Sequence, residues 1–179
     1  MKTSAKPAEI VTAHLTLRPL RAADAAAGVE MLTDPTVAAT YVLPDFADPE
    51  EAAQLYLRLS HLAAQPEHFI YGLYRGERLV GFINDVRVEE RAIELGYVVA
   101  REQRCQGYAT EALAACIRAL FALGFDAVGA GFFEGNDASR RVMEKCGMRP
   151  ACKSEILEYR GEERRCVYYE ITREDAAFA

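Results

Sequence analysis

Hydrophobic residues recur along this chain with two periods, one helical and one of two residues. The helical period is clearest in residues 107–123, where apolar side chains stand three or four positions apart and Gly124 follows as a C-cap. Residues 48–64 repeat this period behind a helix start, with Asp48 as N-cap and a glutamate three positions later. We therefore predict a helix over each of these ranges.

Other segments alternate apolar and polar residues, which is typical of β-strands. Two pairs of such segments flank turns that read RGER and RGEE, so each pair predicts a hairpin. The remaining predicted elements are a strand over 14–20, a helix over 22–32, a hairpin over 69–88, strands over 91–100 and 125–133, a helix over 136–146 and a final hairpin over 148–172.

This order of elements predicts an α/β (α+β) fold. A hairpin feeding a β-α-β unit implies a mixed sheet with helices on its faces. The 179 residues fit one domain, 1–179, with a core of about 14–172. We find no repeat, linker or low-complexity segment that would divide it.

The composition of the chain disfavours nucleic acid and membranes as partners. The chain is 51% hydrophobic and 27% charged, as soluble globular proteins are, and its net charge of −6 opposes a role in binding nucleic acid. No apolar run approaches the roughly 20 residues that span a bilayer, and the first ten residues lack a secretion signal. We expect no membrane partner and a cytoplasmic location.

Cysteine and histidine do not form a recognisable metal or disulfide pattern. The five cysteines are an odd number without a C-x-x-C pair, which favours reduced thiols over disulfides or a zinc site. The three histidines lie far apart in sequence and show no ligand spacing. We therefore predict no metal.

Residues 104–113, RCQGYATEAL, place an arginine and a glycine where the helix over 107–123 begins. A helix start has unpaired N–H groups and a partial positive charge, so it can hold a phosphate. Alone, Gly107 is equally compatible with a plain turn. The motifs G-x-x-x-x-G-K-[ST] and G-x-G-x-x-G are absent, which disfavours a nucleoside triphosphate or a dinucleotide.

The surroundings of this loop are more specific. A strand, the R-x-x-G-x-A loop, a long helix, a strand and the segment NDASRRVMEKCGM together resemble the GNAT superfamily of acetyl-CoA-dependent N-acetyltransferases. The stretches ELGYVVAREQRCQGYATEAL and LTLRPLRAADA most resemble the branch of ribosomal-protein N-terminal (alanine/serine) acetyltransferases. The resemblance extends from about His14 to about Thr172 and implies a GNAT-like, mostly antiparallel mixed sheet with a central β-α-β cofactor unit.

The resemblance also implies how coenzyme A is bound. Backbone groups of Val98 and Val99 would pair with the pantetheine arm, as an added strand does, and the Asn136 side chain would hold that arm from the opposite side. The pyrophosphate would be held by the backbone N–H groups of Arg104, Cys105, Gln106, Gly107, Tyr108, Ala109 and Thr110.

Acetyl transfer to an amine needs a base, because amines are protonated near neutral pH. The resemblance makes Glu94 the preferred base, with a surface charge as the alternative, and Glu134 is held in reserve. The superfamily often has a tyrosine acid seven residues after the asparagine, but this chain has Met143 there. Ser139 is then the candidate proton donor to the thiolate, although it could equally serve as a helix-start hydrogen-bonding residue.

The implied activity is transfer of an acetyl group to a primary amine, on a protein N-terminus or a small molecule, by direct transfer in a ternary complex. A ping-pong route through Cys105 or Cys146 is disfavoured because no histidine is nearby in sequence to activate either thiol. A non-catalytic acyl-CoA-binding or regulatory module is the alternative function. We expect segments 41–51 and 158–165 to line the acceptor pocket, and edge strands of the sheet could support a homodimer.

Overall fold

A computed structural model describes residues 6–176 of the chain. The strands that it contains are β1 (Ile10–Val11), β2 (Thr16–Arg18), β3 (Tyr71–Arg75), β4 (Arg78–Glu89), β5 (Ala92–Val99), β6 (Ala127–Phe133), β7 (Arg149–Tyr159) and β8 (Glu162–Thr172). They form one sheet in the order β1-β2-β3-β4-β5-β6-β8-β7. Every neighbouring pair is antiparallel except β5 and β6, which are parallel.

The helices pack on both faces of this sheet. They are α1 (Ala25–Thr33), α2 (Pro35–Ala38), α3 (Pro49–Ala63), α4 (Tyr108–Leu123), α5 (Asp137–Lys145) and α6 (Arg173–Ala176). Helices α4 and α5 cover one face, called here the α4 face, and bury it in the larger apolar cluster. Helices α1 to α3 cover the other face, the α3 face, where the second cluster takes strand residues from β3, β4 and β5. The α3 face of β6, β8 and β7 therefore has no helix packed on it within residues 6–176.

These observations confirm the predicted fold class, an α/β (α+β) domain with a mostly antiparallel sheet and a central β-α-β unit. The predicted helix start at Asp48 is also confirmed, since its side chain accepts hydrogen bonds from the N–H groups of Glu50 and Glu51. Helix α4 ends at Gly124, which has a φ of +105° and is the predicted C-cap. Within the described residues, none of the helices is both long and apolar enough to cross a membrane.

Several boundaries differ from the sequence prediction. The first predicted strand, 14–20, is reduced to Thr16–Arg18, and the predicted helix 22–32 begins with a 3-10 turn before α1. The sequence pattern does not predict β1, α2 or α6. Each of these elements has two to four residues, which is too short for either hydrophobic period to be recognised.

Close packing of α1 on α3 predicts a large loss of stability at one glycine. A Cβ built on Gly28 would lie 2.0 Å from the ring of Tyr56, which is fully buried. We expect Gly28→Ala to lower the free energy of unfolding by about 3 kcal/mol, since overpacking outweighs the gain in helix propensity. Thermal unfolding should show a Tm lower by roughly 6–12 °C.

A double-mutant cycle provides the control for Gly28. In a Tyr56→Leu background the ring is absent, so the further change Gly28→Ala should cost much less than it does in the wild type. A Gly28→Ala protein with a higher Tm than the wild type would contradict this packing.

Candidate active site

Strands β5 and β6 separate from each other within the sheet. They pair only from Ala92 to Glu94 on β5 and from Ala127 to Gly129 on β6. Both strands continue beyond this point, β5 to Val99 and β6 to Phe133. Their carboxyl ends therefore diverge and leave unpaired strand edges that face each other across an opening, where another extended chain can be inserted.

The loop before α4 presents a row of free backbone donors at one end of this opening. The prediction included the N–H of Arg104, but that group donates to the carbonyl oxygen of Arg101 at 3.3 Å. The N–H groups from Cys105 to Thr110 have no hydrogen-bond acceptor among residues 6–176, and no side chain caps α4. Cys105 and Gly107 have φ angles of +60° and +83°, and a Cβ at Gly107 would touch nothing within 4 Å. Free N–H groups in an open, left-handed loop at a helix start form a concave anion site, so this loop fits a pyrophosphate.

Arg104 has two kinds of donor in this site. Its Nε donates to the carbonyl oxygen of Val99 at 3.2 Å, which ties the loop to the end of β5. The terminal guanidinium nitrogens have no hydrogen-bond partner among the described residues, so they are available to an anion at the loop. The Arg104 side chain can therefore supply positive charge at this loop.

The strand register corrects the prediction for Val98. The N–H of Ala100 donates to Val80 on β4 at 2.9 Å, and backbone groups alternate in direction along a strand. The N–H and C=O of Val98 therefore point toward β4, and its side chain is buried in the α3-face cluster. The same alternation turns the backbone groups of Tyr97 and Val99 toward the opening, so Tyr97 replaces Val98 as a candidate contact of the pantetheine arm.

Asn136 and Ser139 form one hydrogen-bonded unit at the start of α5. Asn136 Oδ1 accepts from the N–H of Ser139 at 3.2 Å, and Asn136 Nδ2 donates to Ser139 Oγ at 3.0 Å. One hydrogen of Nδ2 remains for a ligand. Because Ser139 Oγ already accepts a hydrogen bond, its own hydroxyl proton is free to be donated elsewhere. Ser139 lines the cleft beside β5.

Tyr97 contacts this unit, whereas Met143 is buried in the core. The Tyr97 hydroxyl donates to the carbonyl oxygen of Ser139 at 3.3 Å and so links β5 to the first turn of α5. Burial raises the pKa of Tyr97, so the phenol remains protonated. Met143 is 1% exposed and belongs to the α4-face cluster, so the Met143 side chain does not line the cleft.

A cleft of about 500 Å³ opens on the α3 face at the point where β5 and β6 diverge. One wall is the β7–β8 hairpin, in which the Tyr159 hydroxyl donates to the carbonyl oxygen of Ala38 at 2.7 Å. Arg164 reinforces this wall by donating to the carbonyl oxygen of Ala39 at 2.9 Å. Tyr41 lies at the same side and donates to Asn84 at 2.6 Å. The hairpin and the loop after α2 thus enclose the cleft together.

Only part of the two segments expected to line the acceptor pocket does so. Tyr41 and Val42 line the cleft, whereas the acidic residues farther along have structural partners. Asp45 pairs with Arg160 at 3.3 Å, Asp48 caps α3, and Glu51 accepts from the N–H of Ala47. The negative charge of this loop therefore does not line the cleft.

Glu94 is a half-buried carboxylate in the cleft, with a side chain that is 19% exposed. Burial raises the pKa of Glu94 above the ordinary 4.5, opposed by the positive charges of Lys153 and Arg87. A carboxylate with a raised pKa is a stronger base, as general-base catalysis requires. Glu134 differs, because it is 63% exposed, is paired with Arg165 at 3.6 Å and does not line this cleft.

All five cysteines are free thiols, as predicted. Cys146 donates to the carbonyl oxygen of Thr110 at 3.4 Å, and burial raises the pKa of Cys146 to about 11. Cys166 lines the cleft, and burial raises the pKa of its thiol as well. Both are therefore thiols rather than nucleophilic thiolates near neutral pH. Cys105 is exposed in the anion-binding loop.

Comparison with known proteins identifies the family. Residues 14–149 match the model of the acetyltransferase (GNAT) domain. The uncharacterized N-acetyltransferase YoaA of Bacillus subtilis (strain 168) is 27% identical over 143 residues, which cover 77% of this chain and 81% of that protein.

Solved structures share the fold. RimJ of Mycobacterium smegmatis, in complex with CoA-disulfide, superposes with a TM-score of 0.78 at 24% identity over 97% of this chain and 90% of its own. The ribosomal-protein-S5-alanine acetyltransferase of Vibrio fischeri superposes with a TM-score of 0.78 at 17% identity, covering 94% and 98% of the two chains. With most of its length matched by the family model, the chain belongs to the GNAT acetyltransferases, enzymes that take their acetyl group from acetyl-CoA.

Proposed function

We propose that this acetyltransferase moves the acetyl group directly to a primary amine, on a protein N-terminus or a small molecule, in a ternary complex. The observation that carries the proposal is Glu94, a half-buried carboxylate in the cleft between the diverging strands. When bound, acetyl-CoA supplies an acetyl thioester, which an amine can attack without further activation. The protein therefore has to bind acetyl-CoA and the amine, orient them, and accept and donate protons.

Each part of the site has one of these tasks. The N–H groups from Cys105 to Thr110 would hold the pyrophosphate, and the backbone of Tyr97 and Val99 with Asn136 would orient the arm. Glu94 would take the proton of the incoming ammonium, directly or through one water molecule. A free N–H at the cleft edge of β5 would donate to the acetyl oxygen, and Ser139 would give its proton to the departing thiolate.

The same chemistry and the neighbours of this fold support an amine as the acceptor. A carboxylate with a raised pKa can accept the proton of an ammonium, and ribosomal-protein acetyltransferases are among the structures of the same shape. A cytoplasmic location, where thiols remain reduced, suits the five free cysteines. A homodimer through the free edge of β7 remains a prediction.

An acceptor panel tests this proposal. Thiol release from acetyl-CoA would be followed with peptides that begin with alanine or serine, with free amino acids and with polyamines. We expect at least one class to support turnover, and mass spectrometry should find the acetyl group on its amine. Tight coenzyme A binding without turnover on any amine would contradict the proposal and favour a binding module.

Direct transfer makes a separate prediction for Cys105. The variant Cys105→Ala should keep its kcat within about twofold of the wild type, because no covalent acetyl-enzyme forms. Intact-mass measurement of the wild type with acetyl-CoA should show no thioester adduct. Loss of activity in Cys105→Ala, with coenzyme A affinity unchanged, would overturn direct transfer in favour of a ping-pong route.

A further inference from the structure

The cleft continues along the uncovered α3 face beyond Glu94. A second depression of about 350 Å³ lies over β6 and β8 and shares Arg87, Glu94 and Tyr168 with the cleft. No side chain of β6 separates them at Gly129 and Gly131, because glycine has none. The two depressions are thus parts of one groove that meet at Arg87, Glu94 and Tyr168.

The side chain of Lys153 crosses this groove. Lys153 belongs to the stretch of β7 where the register with β8 shifts between Pro150 and Ser154. Its Nζ lies 3.4 Å from Glu155 Oε1 and 4.0 Å from Glu94 Oε2. It also lies 4.2 Å from the centroid of the Tyr168 ring.

Two carboxylates and an aromatic face are the groups that bind a primary ammonium in water. Glu94, Glu155 and Tyr168 all line the open cleft as well, so the groups that hold Lys153 are accessible to a ligand. Lys153 is 41% exposed, and its pairing with these groups is accordingly weak enough to be exchanged. Arg87 also lines the groove but is paired with Glu89 at 3.7 Å, so Glu94, Glu155 and Lys153 leave a net negative charge where the two depressions meet.

We propose that Lys153 determines acceptor specificity by occupying, with its own ammonium, the subsite in which Glu94, Glu155 and Tyr168 bind the ammonium of the acceptor. A cationic acceptor enters by displacing Lys153 from these three groups. The aliphatic part of the acceptor then lies along the groove, over Gly129 and Gly131 of β6. The inference rests on the proposed function only in taking the acceptor to be a primary amine.

Removal of the internal ammonium should therefore strengthen binding of an external one. The probe is n-butylammonium, and its Kd would be measured from the backbone amide shifts of Gly129 and Gly131. We expect Lys153→Met to lower this Kd by about fivefold or more, since two ion pairs and one cation–π contact no longer compete. Lys153→Gln should behave in the same way.

Matched controls separate competition from a change of shape. Lys153→Arg keeps the charge, and because a guanidinium pairs bidentately with carboxylates and stacks on an aromatic ring, it should compete at least as well as lysine and should not lower the Kd. The neutral probe n-butanol should gain nothing from Lys153→Met. A Lys153→Met protein that folds normally but binds n-butylammonium no more tightly would overturn the inference, and so would an equal gain for n-butanol.

This experiment is independent of turnover. A protein that shows the expected change in Kd but acetylates no amine would contradict the proposed function while supporting the ammonium subsite. A protein that acetylates amines but shows no change in Kd would contradict the subsite alone.

Discussion

Coenzyme A affinity should fall by roughly 100-fold when Gly107 is replaced by glutamate. The φ of +83° at Gly107 is costly for any residue with a Cβ. The new carboxylate would also stand where the free N–H groups of the loop meet the pyrophosphate. Charge repulsion opposes the bound pyrophosphate directly, and a strained loop that relaxes in the free protein must regain its bound conformation. Together these costs are on the order of 3 kcal/mol, and each 1.4 kcal/mol is a factor of ten in Kd.

Two variants separate the contributions to this loss. Gly107→Ala has the strain without the charge, so it should lose less affinity than Gly107→Glu. Gly76→Glu places the same charge at a glycine of positive φ in the β3–β4 turn, also in open space, and should leave affinity unchanged. Calorimetric titration with coenzyme A measures all three. A folded Gly107→Glu protein with wild-type affinity would show that the pyrophosphate lies elsewhere.

Acetyl transfer should slow by about 10²- to 10⁴-fold in Glu94→Gln, the usual contribution of a general base. Glutamine retains the size of the side chain, so the Kd of coenzyme A should not change. Glu134→Gln is the matched control, because Glu134 is exposed and paired with Arg165, and its kcat should remain near that of the wild type. A small effect at Glu94 with a large one at Glu134 would reverse the assignment.

The value of kcat/KM should decrease at low pH. Glu94 must be deprotonated to act as a base, so kcat/KM should fall as pH decreases through its pKa. Burial raises that pKa above the ordinary 4.5, and the acidic limb of the profile should therefore lie above this value. In Glu94→Gln this limb should disappear. A limb that is unchanged in Glu94→Gln would belong to another group.

The sequence predicts the elements of this fold well where they are long. Helix α4, the β3–β4 hairpin and the β7–β8 hairpin all have enough residues for a period and recognisable turn or cap residues. The sequence pattern does not predict helix α2, although Asp34 and Pro35 give it the same start as Asp48 and Pro49 give α3. Its four residues are too few to show an apolar face, so the Asp-Pro pair could be a turn as easily as a helix start.

The site was predictable where chemistry depends on local order and not where it depends on register. The family resemblance locates Glu94 and the loop before α4 from a strand, a loop and a helix that are consecutive in the chain, and their roles stay predictions. Whether Val98 or Tyr97 contacts the pantetheine arm depends on which of the two directs its backbone groups toward β4. A register shift of one residue reverses the answer. Lys153 comes from the irregular part of β7 and meets Glu94 across β6 and β8. The sequence predicts neither the register of β7 with β8 at Lys153 nor the contact between Lys153 and Glu94.

The coenzyme A site is tested most directly by amide chemical shifts of ¹⁵N-labelled protein on addition of coenzyme A. The free N–H groups of Gly107, Tyr108, Ala109 and Thr110 should show the largest changes, with smaller ones at Tyr97 and Val99. Binding that shifts the amides of another surface and leaves residues 105–110 unchanged would contradict the assignment of this loop.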